Sequence, residues 1–245
     1  MYEYYFVFLV LILIVSLIAG KASSNVNKTF NTYQNMPVRS HMTGVDVAKK
    51  LLKSNDISDV RVEKVKGSLT DHYHPTKKQV NLSQTVYGNN SVAAVAVAAH
   101  EVGHVVQRKK GYLPYKLRAF LVPITNLGSR LALPLVLVGL LLDFSVGFTQ
   151  EYTVGYTLAL LGVALYGLST LFALVTLPVE FNASRRAKRM LLEEGIMTAE
   201  ELPYAEKMLS AAAQTYVASL MVSLVYFLRF LVWVLALFGN RNRRR

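Results

Sequence analysis

The chain has 245 residues, 53% of them hydrophobic, and a positive mean hydropathy, which excludes an ordinary soluble globular domain. It contains no cysteine, so disulfides, thiolate metal ligands and a cysteine nucleophile are excluded as well. The formal charge is +12, but the basic residues are scattered or sit beside apolar runs, so anionic lipid headgroups and not nucleic acid are the expected partner.

The first apolar run, Tyr4–Ala19, is just long enough to cross a bilayer. No Lys or Arg precedes it, Glu3 does, and no small-x-small site follows. It therefore reads as an uncleaved anchor with its N-terminus outside. Ala22–Arg39 is polar and Asn/Ser-rich, the composition of a surface linker. Thr43-Gly-Val-Asp46 resembles a capping box with Asp in place of Glu and opens a short amphipathic helix through Leu52. Val60–Lys66, rich in β-branched residues with imperfect alternation, predicts a strand. Gly67–Pro75 reads as a polar loop and Lys78–Ser83 as a second strand, an edge able to hold an extended peptide by backbone pairing. Asn89-Asn-Ser91 then caps an Ala/Val-rich helix to about Arg108.

Three further hydrophobic regions follow. Leu117–Phe148 contains Arg130 and Asp143, Tyr152–Leu177 carries no charge, and Met208–Phe238 contains Arg229. Between the last two, Pro178 is placed as a helix start, with Val179–Glu194 helical and stopped by Gly195. Thr198-Ala-Glu-Glu201 is a capping box for the next helix, where Pro203 is early enough to be tolerated. The expected segments are thus an anchor at 1–20, a water-facing part at 21–116, a hydrophobic hairpin at 117–177, a third-ligand segment at 178–207, and a hydrophobic helix with a basic tail at 208–245.

Charge asymmetry sets the expected topology. Lys21–Arg118 holds sixteen Lys/Arg against six Asp/Glu, whereas Asp143–Glu151 has two acidic residues and no basic one. Positive-inside reasoning puts 21–116 and the basic run Arg185, Arg186, Lys188 and Arg189 in the cytoplasm. A full crossing by the last region would put Arg241, Arg243, Arg244 and Arg245 outside, so its orientation stays open.

The helix at 91–108 contains His100, Glu101 and His104 as H-E-x-x-H. With 3.6 residues per turn, both imidazoles project from one face and can grip a single Zn²⁺, with Glu101 beside them to take a proton from a metal-bound water. A catalytic zinc takes a third protein ligand. One common class supplies a His six residues after the second; Lys110 stands there, and Gln107 stands where that class has Gly, which excludes it. A carboxylate from another helix is the alternative, and Glu180 in Pro178-Val-Glu-Phe-Asn-Ala-Ser-Arg-Arg186 stands out. The competing reading of Glu180 is an interfacial residue in a solvated first helical turn.

Thr70-Asp-His-Tyr-His-Pro75, His100-Glu-Val-Gly-His104 with Gln107, and Leu177-Pro-Val-Glu-Phe-Asn-Ala-Ser-Arg-Arg186 resemble the YugP-type family of membrane-bound neutral zinc metallopeptidases over nearly the whole chain. The HtpX-type membrane proteases are more loosely similar. The resemblance implies a gluzincin-like site holding one catalytic Zn²⁺, with His100, His104 and Glu180 as metal ligands and Glu101 as catalytic base. Two positions depart from the family pattern, which usually has acidic residues where Asn182 and His74 stand. Asn182 can still orient a neighbouring ligand by a hydrogen bond. His72 and Tyr73, or Arg185 and Arg186, are candidates to stabilise the developing oxyanion.

The expected fold is therefore a mainly α membrane protein with about four transmembrane or membrane-embedded helices. A small α+β zincin-like catalytic domain with a short sheet edge completes it. The expected function is a multi-pass, membrane-anchored zinc endopeptidase of the cell membrane. Its site would face the cytoplasm and act on membrane or membrane-proximal polypeptides. The alternative is a non-catalytic scaffold or transport component with a structural metal. An intramembrane protease fits poorly, because the apolar run before His100 is only Val92–Ala99.

Overall fold

The computed structural model describes residues 2–145 and 153–239 and is mainly helical. Among the described residues seven helices and three strands follow one another: α1 (Tyr2–Tyr33), α2 (Gly44–Ser54), β1 (Arg61–Val65), β2 (His72–His74), β3 (Gln79–Ser83), α3 (Gln84–Tyr87), α4 (Val92–Lys109), α5 (Leu113–Ser145), α6 (Val154–Glu193) and α7 (Leu202–Gly239). Four of them, α1, α5, α6 and α7, are long and apolar enough to cross a membrane. Glu151 of the acidic connector and the basic tail Arg241–Arg245 lie outside the described residues.

Contacts divide the chain into two units. The first comprises Met1–Gly20, Leu117–Thr176 and Val217–Arg245. Its helices leave Leu9, Leu13, Leu141 and Phe144 exposed, the surface expected of residues facing lipid. Inside it α5 and α6 meet through small residues, and a Cβ on Gly139 would run into the Gly155 carbonyl. Thr170 and Ser223 join α6 to α7 through their hydroxyls at 2.9 Å.

The second unit, Lys21–Lys116 with Leu177–Tyr216, contains the polar chemistry. Its sheet has the order β1-β3-β2, with β1 parallel and β2 antiparallel to β3. Val80 and Leu82 of β3 are fully buried and share one core with Val47, Ala48 and Leu51 of α2. The Ala/Val face of α4 packs into the same core, most of its residues being buried. Ala at these positions lets neighbouring elements approach closely and carries the highest helix propensity. Thr43 caps α2 in the expected box, and Ser91 caps α4 by accepting from the Ala94 amide at 3.3 Å.

Four expectations are corrected. The linker expected at Ala22–Arg39 is helix as far as Tyr33, because Ala22 is buried and Val26 and Phe30, one turn apart, pack with the core. The loop at Gly67–Pro75 contains a strand, β2, whose His72 and His74 pair with Asn81 and Gln79. That pairing makes β3 the central strand, so the exposed edge beside α4 belongs to β2 and not to the Lys78–Ser83 strand. Pro178 lies inside α6 and does not start a helix. Its missing N–H removes one bond from a forty-residue helix, and Val179, Ala183 and Ala187 bury on the following turns. The Thr198–Glu201 bonds form as expected, closing a turn immediately before α7.

In the second unit α4 and α6 touch at Gly103. A Cβ there would stand 2.7 Å from the Ala183 carbonyl oxygen and 3.2 Å from its Cα, both backbone atoms that cannot swing aside. Helix propensity alone would make Gly103→Ala stabilising by about 1 kcal/mol. Overpacking against backbone makes the opposite sign the expected one, a loss of about 1–3 kcal/mol. Thermal unfolding of the detergent-solubilised variant checks that sign.

Candidate metal centre

His100, Gly103, His104 and Gln107 fall at i, i+3, i+4 and i+7 of α4, one continuous stripe, and this stripe faces α6. Across it, Glu180 brings one carboxylate oxygen to 3.2 Å from His100 Nε2 and 3.5 Å from His104 Nε2. The two imidazole rings stand at right angles, centroids 4.8 Å apart. Ligating atoms of the three side chains lie within 4.8 Å of one another, the one such grouping of His, Cys, Asp or Glu among the described residues. Two ligands about 2.0–2.1 Å from a tetrahedral ion stand roughly 3.3 Å apart, so the observed separations suit a small divalent cation.

The hydrogen bonds behind the rings fix how they present themselves. Gln107, fully buried, donates its amide N–H to the Val179 carbonyl at 2.7 Å and to Asn182 Oδ1 at 3.0 Å. The orientation is unambiguous, because a carbonyl can only accept and Asn182 Oδ1 also receives Arg186 Nε at 2.7 Å. Gln107 Oε1 is then left to accept from His104 Nδ1 at 3.0 Å. The proton sits on Nδ1, and in the neutral ring the Nε2 lone pair points at the cluster. His100 Nδ1 lies 3.1 Å from the Ser184 hydroxyl, which can accept in the same way. Two imidazole nitrogens and one carboxylate form a donor set suited to zinc.

Glu101 sits beside this cluster on α4 and is buried. Burial pushes its carboxyl up to about 7; the neighbouring His100 opposes the shift, and the charges of Glu180 and Asp71 reinforce it. The backbone of Tyr73 on β2 faces this carboxylate and weakly opposes the shift. Asp71, just ahead of β2, accepts from the Ser83 amide at 2.7 Å and hydroxyl at 2.8 Å, while burial pushes its own carboxyl up.

The structure thus brings His100, Glu101, His104 and Glu180 together. The side chains of His72 and Tyr73 are engaged with other groups. His72 donates from Nδ1 to the Thr70 carbonyl and accepts from Asn81 at Nε2, each at 2.9 Å. The Tyr73 hydroxyl accepts from Arg108 at 3.0 Å, and Arg108 also donates to the Pro75 carbonyl. Of the two expected arginines, Arg186 is tied to Asn182, and Arg185 is exposed. Gln107, Ser184 and Asp71 stand in the quoted motifs, but sequence reasoning gave them no role. Gln107 was marked by its place seven residues after His100, and Ser184 by its place one turn after Glu180.

These features define the chain as a metallopeptidase-like membrane protein, and comparison with known proteins agrees: it belongs to the family described as "Putative neutral zinc metallopeptidase", which matches residues 5–235. It is 41% identical over 211 residues, covering 86% of this chain and 89% of the relative, to "Putative membrane protease YugP" of Bacillus subtilis (strain 168). No solved structure matches it.

The hydrogen bonds behind the rings carry a measurable consequence. Gln107→Ala is expected to weaken zinc binding about 10–100-fold, measured by competition with a chromogenic chelator, because it frees the His104 ring to rotate and change tautomer. Ser184→Ala should cost less, since water can replace one hydroxyl at a partly accessible ring.

Proposed function

We propose that the protein is a membrane-anchored zinc endopeptidase in which His100, His104 and Glu180 hold one Zn²⁺ and Glu101 is the general base. The observation that carries this reading is the convergence of the two Nε2 atoms on one Glu180 oxygen, with a buried carboxylate one residue from the first ligand. The family and the membrane protease relative support the protease class, zinc as the metal and polypeptides as substrates.

Zinc bound there would polarise the peptide carbonyl and lower the pKa of a water to about 7. Everything else falls to the chain. Gln107 and Ser184 hold the imidazoles in register and tautomer. Glu101 takes the proton from the attacking water on its carboxylate and returns it to the departing amine nitrogen. Tyr73 tethers β2 to α4 through its hydroxyl and Arg108, and His72 braces the strand through Asn81. The exposed edge of β2 is the strand on which an extended substrate would pair, with Glu101 beside it, the arrangement of a zincin-like catalytic domain.

The excess of Lys and Arg over Asp and Glu between Lys21 and Arg118 supports a cytoplasmic site in a multi-pass protein of the cell membrane. The four apolar helices that hold the site at a membrane support action on membrane or membrane-proximal polypeptides.

The test compares wild type with Glu101→Gln and Glu180→Ala, purified in detergent, for cleavage of an unfolded protein and for bound zinc. Glu101→Gln should retain stoichiometric zinc and lose cleavage by about 10²-fold or more. Glu180→Ala should lose most of the metal. Equal chelator-sensitive cleavage by wild type and Glu101→Gln would reject Glu101 as base.

A further inference from the structure

We infer that the cavity of about 390 Å³ beside His100 and Glu101 is a substrate subsite that receives an uncharged, apolar side chain next to the scissile bond. This rests on the peptidase reading above and adds to it a substrate class and the residues that select it.

The cavity is of ligand-binding size and opens directly on the two reacting positions of α4. Its apolar wall is gathered from four separate segments: Val26 of α1, Leu69 ahead of β2, Val97 of α4, and Leu209 and Ala212 of α7. Val97 lies one turn before Glu101 on the same face of α4, so whatever touches Val97 sits against the base. Leu69 holds a left-handed backbone conformation, φ +54°, that a non-glycine residue adopts only where the surroundings enforce it. On the far side, Asn25 of α1 donates to Gln214 of α7 at 3.3 Å and joins the two helices that carry Val26 and Ala212.

Charge decides what the cavity rejects. Its ionisable lining consists of Asp71, Glu101, His100 and the Tyr216 phenol, with no lysine or arginine. An acidic side chain entering it would face Asp71 with no lysine or arginine to pair it, whereas an aliphatic one would cover Val26, Val97 and Leu209. The polar groups that remain, Ser23, Asn27 and Thr215, are uncharged.

The test measures binding, separately from turnover. Zinc-loaded full-length Glu101→Gln in detergent is titrated with two hydroxamate series, bearing a glycine, leucine, phenylalanine or aspartate side chain on the acyl side or on the amino side of the chelating group. The glycine compounds report the metal alone, so the ratio to glycine reads the cavity. In one series leucine should bind at least about tenfold tighter than glycine, and aspartate should bind more weakly than glycine. Adding Ala212→Phe should abolish the leucine advantage while glycine binding is kept, and Val97→Ala should move the preference from leucine to phenylalanine. Leucine-to-glycine ratios near one in both series, or ratios untouched by both wall variants, would overturn the subsite while leaving the zinc reading intact. Failure of every compound, glycine included, would overturn both. Selective binding by a protein whose wild type never cleaves would uphold the subsite and reject only the peptidase.

Discussion

The close approach of α4 to α6 at Gly103 is the contact on which the site depends. Glu180 has a short side chain, and its single oxygen reaches both Nε2 atoms because the Ala183 backbone rests where a Cβ of residue 103 would be. The stripe at 100, 103, 104 and 107 therefore alternates function and clearance: an imidazole, a gap, an imidazole, and the amide that orients the second ring. Val179, Ala183 and Ala187 supply the matching small and apolar surface on α6. Packing of this kind is intolerant, since interiors are close-packed and a methylene inserted between two backbones has nowhere to go.

Geometry alone would leave the chemistry undetermined, because an imidazole near a carboxylate can carry its proton on either nitrogen. The chain running from Arg186 through Asn182 and Gln107 to His104 removes that freedom. An arginine can only donate and a backbone carbonyl can only accept, so each intermediate amide has one orientation. Asn182 consequently acts on the His104 ring through a second residue, Gln107. What that position needs is an acceptor facing Arg186 and Gln107, and an amide oxygen provides one.

Much of this was legible in the sequence, for identifiable reasons. H-E-x-x-H and the caps at Thr43 and Ser91 are short-range signals, written within one helical turn. The apolar runs are compositional and survive any uncertainty about their ends. Glu180 was reachable because few downstream carboxylates were available. The failures share a cause: each concerns an element stabilised by tertiary contacts against its local propensity. Pro178 signals a helix start, yet burial of the turns after it keeps α6 continuous. Ser and Asn between Ala22 and Tyr33 signal a linker, yet Ala22, Val26 and Phe30 pull that stretch into helix. β2 has three residues, too few for any period to show, and it exists because β3 pairs with it.

The electrostatics of the second unit give the strongest physical reason for a cation at the cluster. Glu180 is 2% exposed and Glu101 8%, with Asp71 close enough to raise the latter's proton affinity. Gathering carboxylates away from water is costly unless positive charge is gathered with them. The Gln107 bond holds the Nδ1 proton of His104, so Nε2 is where its ring can bind either a second proton or a metal ion. Protons and a divalent ion therefore compete for the same lone pairs beside Glu180. A divalent ion held by both Nε2 atoms and the Glu180 oxygen would supply the positive charge that these buried carboxylates call for, and two imidazoles with one carboxylate are the donor set of a zinc-sized cation.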